Sequence, residues 1–297
     1  MTVAVVVLES GCLTRWGGAG ASWLARPASV SSGQSDDGHF ARAPARRGLR
    51  NDGAGVAPYG AIDLSDTWNP DGDPVLSGGW GLFFGVVLAV PFGVLCAAPR
   101  RAAPAVWSLL LACAALAAAA AASAEPQAAP LLTWLLVGTL SMAASGAVQP
   151  WRTLDVSGGP VLAVGAVSSP WLLYAWHMSA NNRQGRFDTD FTMGVDHYCV
   201  QAALGLALAL MVLLAAIWPR GRRQLATTAA VCALYLGVLA LRWQDFPGSL
   251  TTWWAAGAIA WGVGVALWGW RRAPVTAAPP SPARDCEPSR TRRREEA

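Results

Sequence analysis

The chain contains no lysine; all 22 of its basic residues are arginine. Schiff-base chemistry and a catalytic lysine are thereby excluded. Charge of either sign is sparse, at 13% of 297 residues, where a soluble domain carries about 25%. Isoleucine is scarce while Ala, Gly, Arg and Pro abound, a pattern of codon usage in a GC-rich genome. The cysteines Cys12, Cys96, Cys113, Cys199, Cys232 and Cys286 include no CxxC pair, so no disulfide framework can be argued, and those in apolar segments read as small packing residues. HExxH, P-loop and GxSxG patterns are missing. The most informative absence lies inside the long apolar segments. No Asp, Glu, Arg or His stands at the centre of any of them, whereas ion-coupled transporters and proton pumps carry charge through such residues. Mid-segment polarity is limited to Ser141, Ser145, Ser168, Ser169, Thr227 and Thr228, which can bond helix backbone. A permease for neutral substrates remains open.

What is present is apolar: 54% of the chain is hydrophobic. From Gly78 onward seven segments of about 17–25 residues meet the length of a membrane span. They lie near 79–98, 104–123, 130–149, 158–178, 193–218, 225–242 and 250–270. Lipid satisfies no backbone hydrogen bond, so each is expected to be an α-helix. The second is the weakest, because Ala114–Ala122 is nearly all alanine; it is expected to pair with the third, turning at Glu125-Pro126. The expected fold class is therefore all-α: a polytopic transmembrane helical bundle of about seven spans over residues 78–272. Residues 1–77 and 273–297, rich in small, polar and charged residues, are expected as disordered tails. Within the first tail, Tyr59–Leu76 with Asp63, Asp66, Asp71 and Asp73 reads as a short acidic cap; its aspartates lack the order of an EF-hand loop.

Arginines orient the bundle. Arg100, Arg101, Arg152, Arg220, Arg222, Arg223, Arg271 and Arg272 fall on one side, and Arg183, Arg186 and Arg242 on the other. The positive-inside rule puts the first set, and the C-terminus, in the cytoplasm of a cell-membrane protein. Arginines confined to helix ends and tails make the net charge of +4 no signal for nucleic acid. Most of the 16 tryptophans lie near span ends as an interfacial belt, and Trp261 sits mid-span. Small residues at four-residue spacing (Gly81, Gly85, Ala89 and Gly93; Ala229, Ala233 and Gly237; Ala256, Ala260 and Gly264) mark faces for close helix packing. Besides the lipid bilayer, these faces offer contacts to another membrane protein or a second copy. Pro91 and Pro170 are expected to bend their helices.

Polar chemistry gathers between Trp171 and Gln201, where the fourth segment leaves the membrane and the fifth enters it. The candidate ligand-binding residues are His177, Asn181, Arg183, Arg186, Asp196, His197 and Gln201. His197 and Gln201, four apart, share a helix face, with Asp196 about 100° away. The plain reading is a capped, solvated connection with Arg183 and Arg186 paired to aspartates. Against it stand a metal site on two histidines with Asp196 or Cys199, whose spacing matches no established motif, haem ligation by the histidines, and a pocket for a polar or anionic extracellular ligand. No catalytic residue, metal ligand or cofactor is assigned.

Two resemblances bear on this stretch. Ala143-Ala144-Ser145-Gly146, Trp151-Arg152 and His177 to Asn181 are each similar to a piece of the rhomboid intramembrane proteases. The order is wrong, since here the serine comes first and no histidine follows His197, and a serine nucleophile needs its base within hydrogen-bond reach. The segment NNRQGRFDTDFTMGVDHYCVQAALGLALAL resembles the linker and following helix of uncharacterised actinobacterial multi-pass membrane proteins, through Gly194, Asp196, His197, Gln201, Ala202, Ala203 and Leu204. That resemblance implies the membrane class and brings no activity with it. The expected function is a non-enzymatic accessory, sensing or scaffolding membrane protein whose outer 177–201 connection faces a ligand or partner. A permease or flippase for a neutral or amphipathic substrate is the alternative, and a metal- or haem-dependent membrane enzyme comes third.

Overall fold

A computed structural model describes residues 56–68, 73–97, 103–142, 158–185, 191–192 and 194–271. The first helix, α1 (Val56–Asp66), precedes a rod made of α2 (Pro74–Gly81), a π-helical stretch (Leu82–Ala89) and α3 (Val90–Ala97). Then come α4 (Ala103–Ser123), α5 (Ala128–Met142) and α6 (Gly158–Gln184). A two-stranded antiparallel ladder, β1 (Phe191–Thr192) with β2 (Val195–Asp196), leads into α7 (His197–Ile217), α8 (Arg222–Arg242) and α9 (Thr252–Trp270). Among the described residues, four helices are long and apolar enough to cross a membrane: Pro74–Leu95, α4, α7 and α8. The alanine-rich second segment is one of them. A shorter apolar helix covers Ala128–Ser141. The remaining two expected segments contain α6, with Pro170 inside it, and the tryptophan-rich α9.

Two boundaries differ from the sequence expectation. The first long apolar helix begins at Pro74, with Val75 and Leu76 already buried. Residues 56–68, expected within the tail and from Tyr59 as a short acidic cap, contain the helix α1 (Val56–Asp66), packed along the rod. Gly60 lies against the Gly85 backbone and Leu64 against Gly81, while Thr67 lies beside Gly78, so α1 runs antiparallel to its partner. Eleven residues span about 16 Å, roughly half a hydrocarbon core. Its C-terminal end is pinned by polar contacts: the Tyr235 hydroxyl lies 2.6 Å from Thr67 Oγ1, and Trp243 Nε1 donates to the Thr67 carbonyl at 3.0 Å. The expectations for residues 1–55 and 273–297 lie outside the described residues.

Local chemistry explains the irregular points. Pro91 has no N–H to offer Val87, and its ring would press on that carbonyl; the wider π turn immediately before it absorbs the conflict. Pro170 likewise leaves the Ala166 carbonyl without a backbone donor, and Ser169 Oγ donates to that oxygen at 2.7 Å. After α4, Ala124 adopts φ 55°, and Glu125 N donates to the Ala120 carbonyl at 2.9 Å, a left-handed helix stop made without glycine. Asp196 starts α7 by accepting from Tyr198 N at 2.7 Å, as a short acidic side chain at an N-cap does. In the turn between the two strands Gly194 has φ 80°, a conformation that glycine takes without strain.

α7 is the central helix, packed against α2, the π stretch, α4, α6 and α8. Ala202, Ala203, Ala207, Ala209 and Ala215 are fully buried on it. Its Gly205 is so near α6 that a Cβ there would stand 3.0 Å from the Trp171 carbonyl. Between α8 and α9, a Cβ on Gly237 would stand 2.8 Å from the Ala255 carbonyl. Ala229, Ala233 and Gly237, the small-residue face expected on α8, are all buried, and Gly237 meets α9, as do Ala226, Ala230 and Leu234. On α9 the outcome differs: Ala255, Ala258, Gly262, Val265 and Gly269 are buried, and Ala256, Ala260 and Gly264 are exposed.

Gly237→Ala is expected to destabilise the protein by about 1–3 kcal/mol through overpacking. Gly264→Ala, whose Cβ would meet nothing within 4 Å, should be neutral or gain up to about 1 kcal/mol of helix propensity. Thermal unfolding in detergent checks the pair; equal effects would refute the close α8–α9 approach.

Candidate functional site

Asp196 sets the start of α7, and the next residue, His197, turns inward. It is 2% exposed, and its ring lies 5.1 Å from that of Trp80 on α2, tilted by 31°. Trp80 in turn lies 4.5 Å from Phe84. One helical turn further, Gln201 is fully buried and its Nε2 donates to the Val75 carbonyl at 2.8 Å. Gly79 makes this contact sterically feasible, because a Cβ on it would overlap the Gln201 amide. The turn after α8 covers the same amide: Gly248, at φ 76°, would place a Cβ 3.9 Å from Gln201 Nε2. Gln201 Oε1 and Trp80 Nε1 are among the buried polar atoms that have no hydrogen-bond partner among the described residues.

The other candidate residues face elsewhere. Asn181, near the end of α6, is 7% exposed. Its neighbour Asn182 donates from Nδ2 to the Ser123 carbonyl at 3.3 Å, and Arg183 donates to the Ala122 carbonyl. The end of α6 therefore clasps the C-terminus of α4, where free carbonyls and the negative end of the helix dipole favour a cation. Arg183 also lies over the Trp176 ring, 5.2 Å from its centroid. Trp176 and His177 are exposed. Arg186 lies outside the described residues. The expected cluster thus separates into an inner pair (His197, Gln201), a cap (Asp196), a clasp (Arg183, assisted by Asn182) and an outer face (His177). The two histidines occupy different surroundings, and the described residues include no group of three His, Cys, Asp or Glu able to hold a metal ion.

Two features escaped the sequence reading. An apolar groove of about 240 Å³ lies between α6 and α9, lined by Trp171 and Tyr174 on one side and by Trp253, Trp254 and Trp261 on the other. Trp261 Nε1 donates across it to the Val167 carbonyl at 3.0 Å. The available signal was the lone mid-span tryptophan together with Pro170. The second feature is Asp63 on α1. Burial, then the neighbouring Asp66 charge, pushes its carboxyl up to about 6. Its Oδ2 has no hydrogen-bond partner among the described residues.

Comparison with protein-family models, curated proteins and solved structures finds no match for this chain.

Replacing Gln201 separates burial from hydrogen bonding. Gln201→Leu, which removes the bond and the unpaired oxygen together, should cost about 1 kcal/mol or less. Gln201→Glu should cost several kcal/mol at neutral pH, because an isolated carboxylate is expensive to bury. Comparable thermal midpoints for the two variants would show that the amide is not enclosed.

Asp63 predicts a pH dependence of defined sign. A carboxyl raised on folding favours the folded state when protonated. Its contribution is full below the ordinary value of 3.8 and is lost as pH rises through about 6. Limited proteolysis of α1 should therefore accelerate between pH 4 and pH 7.5, and Asp63→Asn should flatten that profile. A profile unchanged by the substitution would remove Asp63 as its source.

Proposed function

We propose that the chain is a seven-span integral protein of the cell membrane, with its C-terminus in the cytoplasm, acting as a non-enzymatic accessory, sensing or scaffolding protein. The observation that carries this reading is the closure of the bundle around the polar start of α7. His197 and Gln201 are held against α2 beneath Trp80, and Gly248 packs over the amide. Their role is to fix one helix against another, as buried polar groups do between membrane helices. What remains for a ligand or partner on the outer connection is the exposed set of Trp176, His177 and Arg183. Asn181, Asp196, His197 and Gln201 would hold that surface in place from behind. The likeness to actinobacterial multi-pass membrane proteins accords with this reading. The exposed stripe of Ala256, Ala260 and Gly264 offers a second copy or another membrane protein a smooth face.

One observation favours the permease or flippase as a second reading: the aromatic groove between α6 and α9 has room for part of an apolar chain. A metal- or haem-dependent enzyme has less support, since His177 looks outward and His197 inward.

Photo-crosslinking and lipid translocation decide between the first two. A photoreactive residue at Trp176 should capture a discrete membrane partner in cells, while one at the buried Tyr198 should not. Proteoliposomes should move a fluorescent phospholipid across the bilayer no faster than protein-free vesicles. Translocation accelerated about tenfold and abolished by Trp261→Ala would replace the accessory role with the flippase.

A further inference from the structure

At the opposite end of the bundle, the first turn of α8 meets the last turn of α9. Gly269 packs against Ala226, and this brings two arginine–tryptophan pairs together. The Arg223 guanidinium lies 3.5 Å from the Trp270 ring centroid, and that of Arg222 lies 5.1 Å from Trp268. Arg222 Nε donates to the Ala215 carbonyl at 3.2 Å, and Trp270 Nε1 donates to Thr227 Oγ1 at 3.2 Å. Arg220 and Arg271 flank the pairs, and both are exposed, as is Arg223. Every acid among the described residues (Asp63, Asp66, Asp73, Glu125, Asp196 and Asp245) belongs to α1 or to the turns at the far end of these helices. Four cations therefore share one end with no described acid beside them.

We propose that this arginine–tryptophan patch is a binding site for the phosphate headgroup of an anionic membrane phospholipid. A guanidinium stacked by its face keeps its in-plane N–H groups free, and those groups match phosphate oxygens two at a time. The indoles sit at the end of an apolar helix, the depth at which tryptophan meets headgroups. Below the patch the surface of α9 continues apolar and exposed through Leu267 and Val263, at 63% and 45% exposure. That surface gives an acyl chain a path directly beneath the headgroup. A water-soluble acidic partner would use the arginines but not this apolar continuation. The proposal rests on the membrane reading and is independent of the accessory role.

The test uses the full chain purified in neutral detergent and titrated with phosphatidylglycerol or phosphatidylcholine, with bound lipid counted by native mass spectrometry. The wild type should retain phosphatidylglycerol at about tenfold lower concentration than phosphatidylcholine, a preference consistent with several arginines acting at a membrane surface. Arg223→Gln should lower that preference severalfold, and Arg242→Gln, an equal loss of charge at an exposed arginine that also stacks on a tryptophan (4.3 Å from the Trp243 ring centroid), should leave it. Absence of a preference in the wild type, which needs no variant to fold, overturns the proposal. Equal loss from Arg242→Gln also overturns it, because the effect would then be total charge. Displacement of bound phosphatidylglycerol by hexaglutamate at equal concentration would assign the patch to an acidic protein instead.

Discussion

The structure depends on how closely helix backbones can approach one another. Between membrane helices, apolar side chains gain little by leaving lipid for protein, so association rests on packing distance and on hydrogen bonds that packing brings into reach. In this chain the approach is made by small residues at specific crossings: Gly60 on Gly85, Gly205 on the Trp171 carbonyl, and Gly237 on the Ala255 carbonyl. The polar contacts follow from those crossings. Gln201 reaches the Val75 carbonyl because Gly79, one turn further along α2, leaves its side of the helix bare. Tyr235 and Trp243 reach Thr67 because α1 lies flat on the glycine face of the rod. A side chain added at any of these glycines would separate backbones and withdraw the donors from their acceptors.

That dependence explains which parts of the fold were legible in the sequence. Length and apolarity suffice to locate helices, so each expected segment contains one, and the turn near Glu125-Pro126 follows from local chemistry. The docking of α1 does not follow from such signals. Its residues are few and carry Asp63 and Asp66, the marks of a solvated segment; only the glycine face opposite them, Gly81 and Gly85, indicates a partner. The α9 stripe shows the converse limit. Ala and Gly occur on two faces of that helix, so spacing alone cannot select between Ala256, Ala260, Gly264 and the buried Ala255, Ala258, Gly262. The selection is made by α8, whose Leu234 and Ala230 accept Gly262 at close range.

The same limit applies to the candidate site. Sharing a face made His197 and Gln201 legible as a pair, but the direction of that face is a matter of helix rotation. A helix as uniformly apolar as α7 carries little periodic signal to fix its rotation. Rotation is settled instead by the steric contrast between Gly79, which admits an amide, and the bulk of Trp80, which offers a flat ring to an imidazole. Residues proposed to meet a ligand from outside are thereby turned into the contact that holds α2 to α7.

Arginines pair with tryptophan at both ends of the bundle: Arg183 over Trp176 and Arg242 over Trp243 at one, Arg222 over Trp268 and Arg223 over Trp270 at the other. At each end one of them also donates to a carbonyl near the close of a helix, Arg183 to Ala122 of α4 and Arg222 to Ala215 of α7. What differs is the acids: Glu125, Asp196 and Asp245 lie at the first end, and none of the described residues at the second is an acid. There Arg223 stacks on Trp270 without a described carboxylate. A cation over an aromatic face is held in position but not neutralised, since the ring supplies a quadrupole and no charge. Its positive potential therefore persists at the surface, undiminished by the contact that orients it. With no described acid at that end to offset it, the potential of Arg223 is directed to the surface.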